Sequence, residues 1–270
     1  MCECAQGDFC VIIQKIKMIK KRKDENPMRI LVVNDDGIDA KGIHILANAA
    51  KELGEVWVVA PDAQCSAMSQ RITVCGELTV KERQIPVEGI HAYSVSGTPA
   101  DCVKVALYYL LPEKPDIVFS GINAGYNAGQ DILYSGTVGA AVEALSNGIP
   151  AIAFSSEAND IYDVVYEYLL SIMKDLAKRA LPMDTLWNVN FPGCGVDECK
   201  GILENRIPAN HQLYQDDYKK KELLSDGFVL TAGGLLTTTA AEGTDIRAVL
   251  DRYISIGTIT NGILAAADKE

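Results

Sequence analysis

Between Arg29 and Ala60 a short apolar run, a helical repeat and a second apolar run follow one another with almost no chain to spare. Arg29–Asn34 reads as a strand buried on both faces. Ile43, Leu46, Ala47, Ala50 and Leu53 then recur at helical spacing, and Gly54 supplies a stop. Glu55–Ala60 is a second buried strand, closed by Pro61. Two strands joined through a helix lie parallel with a right-handed crossover, so the chain is committed to an α/β sheet.

The alternation continues. His91–Val95 reads as a strand, and Thr98-Pro99-Ala100-Asp101 opens a helix with a cap, a proline at the first position and an acid in the first turn. Asp116–Ser120 is the next strand and Thr137–Ser146 the next helix; Gly148-Ile149-Pro150 breaks the chain before strand Ala151–Ser155. A helix over Ile161–Ala180 precedes a strand at Leu186–Phe191. The pattern predicts a Rossmann-like, doubly wound, mainly parallel α/β fold. Its catalytic core spans 28–192 of a single domain over 28–270, and 193–270 is a C-terminal extension with an arm and a closing strand. No βα rhythm is visible across 194–243, which reads as an irregular arm. Residues 1–27, with their basic stretch Lys15–Lys23, read as a disordered N-terminal extension ending at Asn26-Pro27.

Composition narrows the ligand. A net charge of −11 argues against a nucleic-acid polymer, whose phosphates need clustered Lys and Arg. A small phosphate ester is still within reach if a cation or a helix terminus supplies local positive charge. The eight cysteines are scattered, and a chain with 48% hydrophobic residues needs no disulfide framework. Reduced thiols, the lack of an apolar run long enough to span a membrane, and an apolar stretch that precedes the basic cluster all predict a cytoplasmic protein.

Ligands of an open α/β sheet bind beyond the carboxyl ends of its strands, and four polar segments fall at such places. Asn34-Asp35-Asp36-Gly37 follows the first strand directly. Two adjacent carboxylates repel; a solvated turn tolerates them, and a hard divalent cation compensates them. Asp62–Arg71, with Ser66 and Ser69, follows the second strand. Ser120-Gly121-Ile122-Asn123-Ala124-Gly125-Tyr126-Asn127-Ala128-Gly129 has the glycines of a turn that lets a ligand approach the backbone. Tyr134-Ser135-Gly136-Thr137 opens an Ala-rich helix whose N–H groups either accept an anion or are simply capped. Oxygen donors of this kind suit Mg2+ or Mn2+ better than zinc.

Met28–Gly37, Val95–Cys102, Ser120–Gly129, Tyr134–Val138 and Asn188-Val189-Asn190-Phe191-Pro192 come in an order that resembles the SurE family of 5′/3′-nucleotidases. The resemblance implies a metal-dependent phosphomonoesterase that hydrolyses nucleoside 5′-monophosphates through a metal-activated water. It leaves 3′-monophosphates and short polyphosphates open as further substrates. It implies one divalent cation, Mg2+ or Mn2+, held by Asp35, Asp36, Ser66 and Asn123. Asp35 and Asp36 are then the catalytic pair, and Asn34, Asn127, Ser135, Gly136 and Thr137 form the phosphate and substrate side. It also implies a homodimer or homotetramer assembled through an exchanged arm. Three departures stand out: Ala67 where the family has glycine, Lys41 where it often has proline, and Gly257-Thr258-Ile259 in place of Thr-Pro-Leu. A non-catalytic nucleotide-binding protein of the same fold is the alternative. A receiver domain would need an Asp after the third strand, and a haloacid-dehalogenase phosphatase would need acids at i and i+2; neither pattern is present.

Overall fold

The computed structural model describes residues 27–264. The expectations for the N-terminal extension, its basic stretch and Cys2, Cys4 and Cys10 lie outside the described residues. The chain opens with β1 (Met28–Val33), α1 (Lys41–Ala50), β2 (Gly54–Pro61), β3 (Val80–Glu82), β4 (His91–Val95) and α2 (Pro99–Val105). It continues with β5 (Ile117–Ala124), α3 (Gly136–Ser146), β6 (Ala151–Ser156), α4 (Asp163–Leu176) and β7 (Thr185–Phe191). Beyond these come β8 (Ile202–Arg206), β9 (Tyr214–Leu223), β10 (Phe228–Leu236), α5 (Asp245–Leu250) and β11 (Ile254–Thr260).

Nine strands form one sheet in the order β3-β4-β2-β1-β5-β6-β7-β11-β8. The run from β4 to β7 is parallel throughout, while β3 and β11 pair antiparallel to β4 and β7. Burial on both faces explains the unbroken apolar runs. Ile30 and Val32 of β1 pack with α1 and α4 on one side, and Leu31 and Val33 pack with α2 and α3 on the other. All four are fully buried, and each such side chain stabilises the fold by about 1.5–3 kcal/mol.

Caps set the helix starts. At α2 the Thr98 side chain accepts from Asp101 N at 3.2 Å, while the Asp101 carboxylate accepts from Thr98 N at 3.0 Å. The cap and the first-turn acid expected from the sequence thus form a reciprocal box. Helix α4 is shorter at both ends than Ile161–Ala180, and β5 runs past Ser120 to Ala124.

The arm over 194–243 has more regular structure than the sequence suggests. β8 joins the main sheet beside β11, and β9 and β10 form a separate antiparallel hairpin. Without the family's proline, β11 pairs with β7 as far as Thr260. Pairing of Tyr214 with Leu236, Tyr218 with Ala232 and Lys220 with Leu230 puts these residues on one face of the hairpin.

The topology fixes where a ligand goes. From β1 the chain proceeds to β2 on one side and later returns to β5 on the other, so the two halves diverge at the carboxyl ends of β1 and β5. Such a divergence leaves a crevice. Helix α1 is pressed against one wall of it, because a Cβ on Gly42 would lie 2.0 Å from the Ile122 carbonyl oxygen. Gly42→Ala should therefore destabilise the protein by about 1–3 kcal/mol in urea denaturation. An unchanged midpoint would show that α1 can step away from β5.

Candidate active site

The turn after β1 is built by Asn34. Its side-chain nitrogen donates to Gly37 O at 2.9 Å, and its Oδ1 accepts from Gly37 N at 3.2 Å. Gly37 has φ +99°, a conformation that favours glycine. The turn aims the two carboxylates differently. Asp35 is buried at 4% exposure, whereas Asp36 is half-buried.

Asp35 accepts a short hydrogen bond from the Thr137 hydroxyl, and Ser120 Oγ donates to Thr137 O at 2.7 Å. Burial lifts the Asp35 carboxyl from 3.8 to about 6; the Thr137 bond pulls it down and the Asp36 charge pushes it up. Asp36 is also raised by burial, against hydrogen bonds from Ala124 N, at 2.9 Å, and from the Gln64 side chain. The crevice therefore resists holding two negative charges, which is the condition a cation relieves.

Helix α3 starts against this pair. A Cβ on Gly136 would sit 2.8 Å from Asp35 Cβ, so only glycine lets the helix approach so closely. Ser135 accepts from Val138 N at 3.1 Å, and the first helical bond runs from Gly139 N to Ser135 O. The Thr137 backbone N–H also faces the Asp35 carboxylate, which leaves the Gly136 N–H as the open donor at the positive end of the helix.

The loop after β2 is held to both. Cys65 N donates to the Asp35 backbone oxygen at 2.7 Å, which ties the loop carrying the exposed Ser66 to the turn that carries the carboxylates. Ser69 N reaches Tyr134 O at 2.9 Å, and Gln70 reaches Glu143 at 2.9 Å. A Cβ on Gly139 would meet Ser69 O at 2.1 Å, so the loop lies flat on the helix. Ala67 has φ +55°. That is a left-handed conformation which glycine adopts freely and which costs an alanine about 1–2 kcal/mol. Lys41 is the first residue of α1, where proline is well tolerated; its ammonium instead lies 4.7 Å from the Tyr162 ring.

On β5 the Gly121–Ile122 peptide is cis. The Asn123 side-chain nitrogen donates to Gly125 O at 2.8 Å, leaving its carbonyl oxygen as the end that can take a cation. Asp35, Asp36, Ser66, Asn123, Ser135, Gly136 and Thr137 thus border one crevice. Asn34 and Asn127, expected on the substrate side, both make hydrogen bonds within the chain. Asn34 is spent on its own turn. Asn127 is buried, donates from its side chain to Ser155 Oγ at 2.8 Å, and takes Asn188 and Asn190 on its backbone oxygen. Gln64 and Ser120 support the carboxylates without having been singled out from sequence, because amide and hydroxyl side chains at a strand end carry no distinctive pattern.

The residues present fit a divalent cation. Among the described residues no three His, Cys, Asp or Glu side chains gather as a metal cluster. The donors are two carboxylates completed by neutral oxygens, a hard set that suits Mg2+ or Mn2+.

Fold and crevice together define a Rossmann-like α/β protein with an acidic, oxygen-lined site facing a helix N-terminus. The chain belongs to the survival protein SurE family, whose model matches residues 30–212. It is 42% identical over 237 residues to a protein named 5′-nucleotidase SurE from Gemmatimonas aurantiaca, covering 85% of this chain and 91% of that one. A Clostridium botulinum protein of the same name is 38% identical over 233 residues, with the same coverage. The crystal structure of the SurE protein from Aquifex aeolicus aligns with a TM-score of 0.74 and 35% identity over 89% of this chain and 98% of that one.

The Asp35 carboxyl yields a prediction for the metal-free protein. Because its pKa is higher folded than unfolded, the folded state binds the proton more tightly, and stability from this group falls as pH rises from 3.8 to about 6. Asp35→Asn should therefore raise metal-free stability at neutral pH by up to about 3 kcal/mol. The same change should abolish the rise in thermal midpoint that added Mg2+ gives the native sequence. A lower metal-free midpoint for the variant would show that the buried charge carries no such cost.

Proposed function

We propose that this chain is a metal-dependent 5′-nucleotidase that hydrolyses nucleoside 5′-monophosphates to nucleoside and phosphate. The observation that carries the reading is the packing of the Asp35–Asp36 turn against the N-terminus of α3, with Gly136 against Asp35, and the Asn123 strand end held to Asp36 through Ala124 N. An acidic cradle beside an anion-accepting helix end suits a cation and a phosphate bound together. The names of its relatives supply the nucleotide; the crevice itself supplies the phosphate chemistry.

Asp35, Asp36, Ser66 and Asn123 would hold the cation. A divalent ion bound by them would offset the carboxylate charge and would supply Lewis-acid polarisation of the phosphoryl group and activation of a water. The protein does the rest. The Gly136 amide would take a phosphate oxygen at the start of α3, and Thr137 keeps Asp35 oriented through its hydroxyl and its backbone N–H. Asp36, half-buried and steadied by Ala124 N, or its neighbour Asp35 would take the proton of the attacking water and return it to the leaving oxygen. The water oxygen bonds to phosphorus, the ester bond breaks, and the nucleoside oxygen leaves as a hydroxyl. Nothing in this scheme requires the phosphate to sit at the 5′ position, so 3′-monophosphates and short polyphosphates are further substrates to try.

Chelation should abolish phosphate release from a panel of nucleoside monophosphates, and Mg2+ or Mn2+ should restore it. Asp36→Asn should lose most turnover, on the order of 100-fold or more, with its thermal midpoint retained. Full activity in excess chelator would overturn the metal mechanism.

The hairpin supports the assembly. Tyr218, Leu230 and Leu236 are 62%, 48% and 51% exposed on a single face, an apolar stripe that fits a second copy of the chain. A homodimer or homotetramer is the corresponding reading, and Leu230→Glu with Leu236→Glu should shift the size-exclusion mass downward. An unchanged mass would remove the hairpin from the interface. No helix among the described residues is long and apolar enough to cross a membrane. Cys65, Cys75, Cys102, Cys194 and Cys199 are free thiols, which fits a cytoplasmic enzyme.

A further inference from the structure

Tyr214 is the first residue of the exposed hairpin, yet its phenol turns back toward the crevice. A Cβ built on Gly125 would lie 3.6 Å from Asn123 Nδ2 and 3.9 Å from Tyr214 Oη. The phenol and the Asn123 amide therefore both lie close to the same bare Cα, in the turn that follows β5. Gly125 has φ +137°, so no other residue fits the turn without strain. From within, the turn is held by Gly125 N on Ser156 O at 2.8 Å and by Asn123 Nδ2 on Gly125 O at 2.8 Å. The backbone N–H of Tyr126 faces the Tyr214 phenol oxygen and lowers its pKa, against a larger rise from burial.

We propose that Tyr214 is a positioning residue for Asn123: its phenol braces the Gly125 turn and so sets where the Asn123 carbonyl oxygen meets the cation. This rests on the reading that Asn123 is a metal ligand. The main chain at residue 214 is fixed independently of the phenol. Asp131 Oδ2 accepts from Leu213 N at 2.9 Å and Tyr214 N at 3.0 Å, and Leu213 is fully buried beside Tyr126 and Ile246. Tyr214→Phe therefore removes the hydroxyl while leaving the base of the hairpin in place. The residue that begins the hairpin thereby becomes part of the metal site.

The test is calorimetric titration of Mn2+ into the metal-free full chain, for the native sequence, Tyr214→Phe, Asn123→Ala and the double variant. Tyr214→Phe should weaken Mn2+ binding about three- to tenfold, with thermal midpoint and size-exclusion mass unchanged. In the Asn123→Ala background the same change should have no further effect, since a brace acts through what it positions. Equal Mn2+ affinity for native and Tyr214→Phe would overturn the proposal while leaving the metal reading intact. So would an equal loss in the Asn123→Ala background, or a loss accompanied by a lower midpoint. A native chain that binds no Mn2+ would overturn both.

Discussion

The Thr137 hydroxyl donates to Asp35 at the point where β1 and β5 part, and the spacing of the neighbouring elements follows from that contact. For the hydroxyl to reach the carboxylate, the first turn of α3 must lie on the loop that carries Asp35. This explains a glycine at 136, where any Cβ would strike Asp35. It also explains a glycine one turn on, at 139, where the loop after β2 crosses the helix. Ser120 closes the arrangement by donating to Thr137 O from β5. Strand, loop and helix are thus locked around a carboxyl that burial makes reluctant to ionise. Electrostatic complementarity at such a point is obtained by fixing dipoles in advance, and the cost is carried by the fold.

Charge elsewhere sharpens the point. The protein carries a net −11, and its proposed substrate is an anion. Arg83 pairs with Asp39 at 2.8 Å and Lys104 with Glu143 at 3.4 Å, while Arg71, on the loop after β2, is exposed. Lys41 lies over an aromatic ring. The end of α3 and a bound ion would each supply positive potential for a phosphate without depending on surface lysines. An acidic protein can bind a phosphate ester in this way while repelling polyanions from the rest of its surface.

How far the sequence could be read depended on which surface each residue is buried against. The strands β1, β2, β5, β6 and β7 are buried on both faces by helices of the same chain, so their apolar runs are legible and the doubly wound order follows. The acidic turn was legible as a unit, but not the inequality within it. Asp35 and Asp36 look alike in sequence, and only the approach of α3 desolvates one more than the other. Asn34 and Asn127 are polar residues in the right segments, yet both are drawn into holding the backbone. Asn127 stands on a polar floor made with Ser155, Asn188 and Asn190, partners separated from it in sequence and therefore invisible to any local pattern. The hairpin was the least legible element. Its strands bury almost nothing within the chain, so neither β9 nor β10 shows the core-facing alternation that marks a strand.

That same lack of burial bears on how the hairpin is held. Two strands alone are marginally stable in water, and this pair offers its apolar face to solvent. What fixes it within the chain is its base, where two acids serve as clamps. Asp245 accepts from Gly129 N and Ala209 N at 2.9 Å each, and Asp131 accepts from the residues that begin β9. Both clamps act on the loop that continues from Asn123 and Gly125, so the loop that forms one wall of the crevice is also the foundation of the hairpin. A surface that covers the apolar stripe would restrict the hairpin at its tip, and the clamps would carry that restriction to the same loop. Order in the hairpin and geometry at the crevice are thus two demands on one short stretch of chain, and the phenol of Tyr214 stands where they meet.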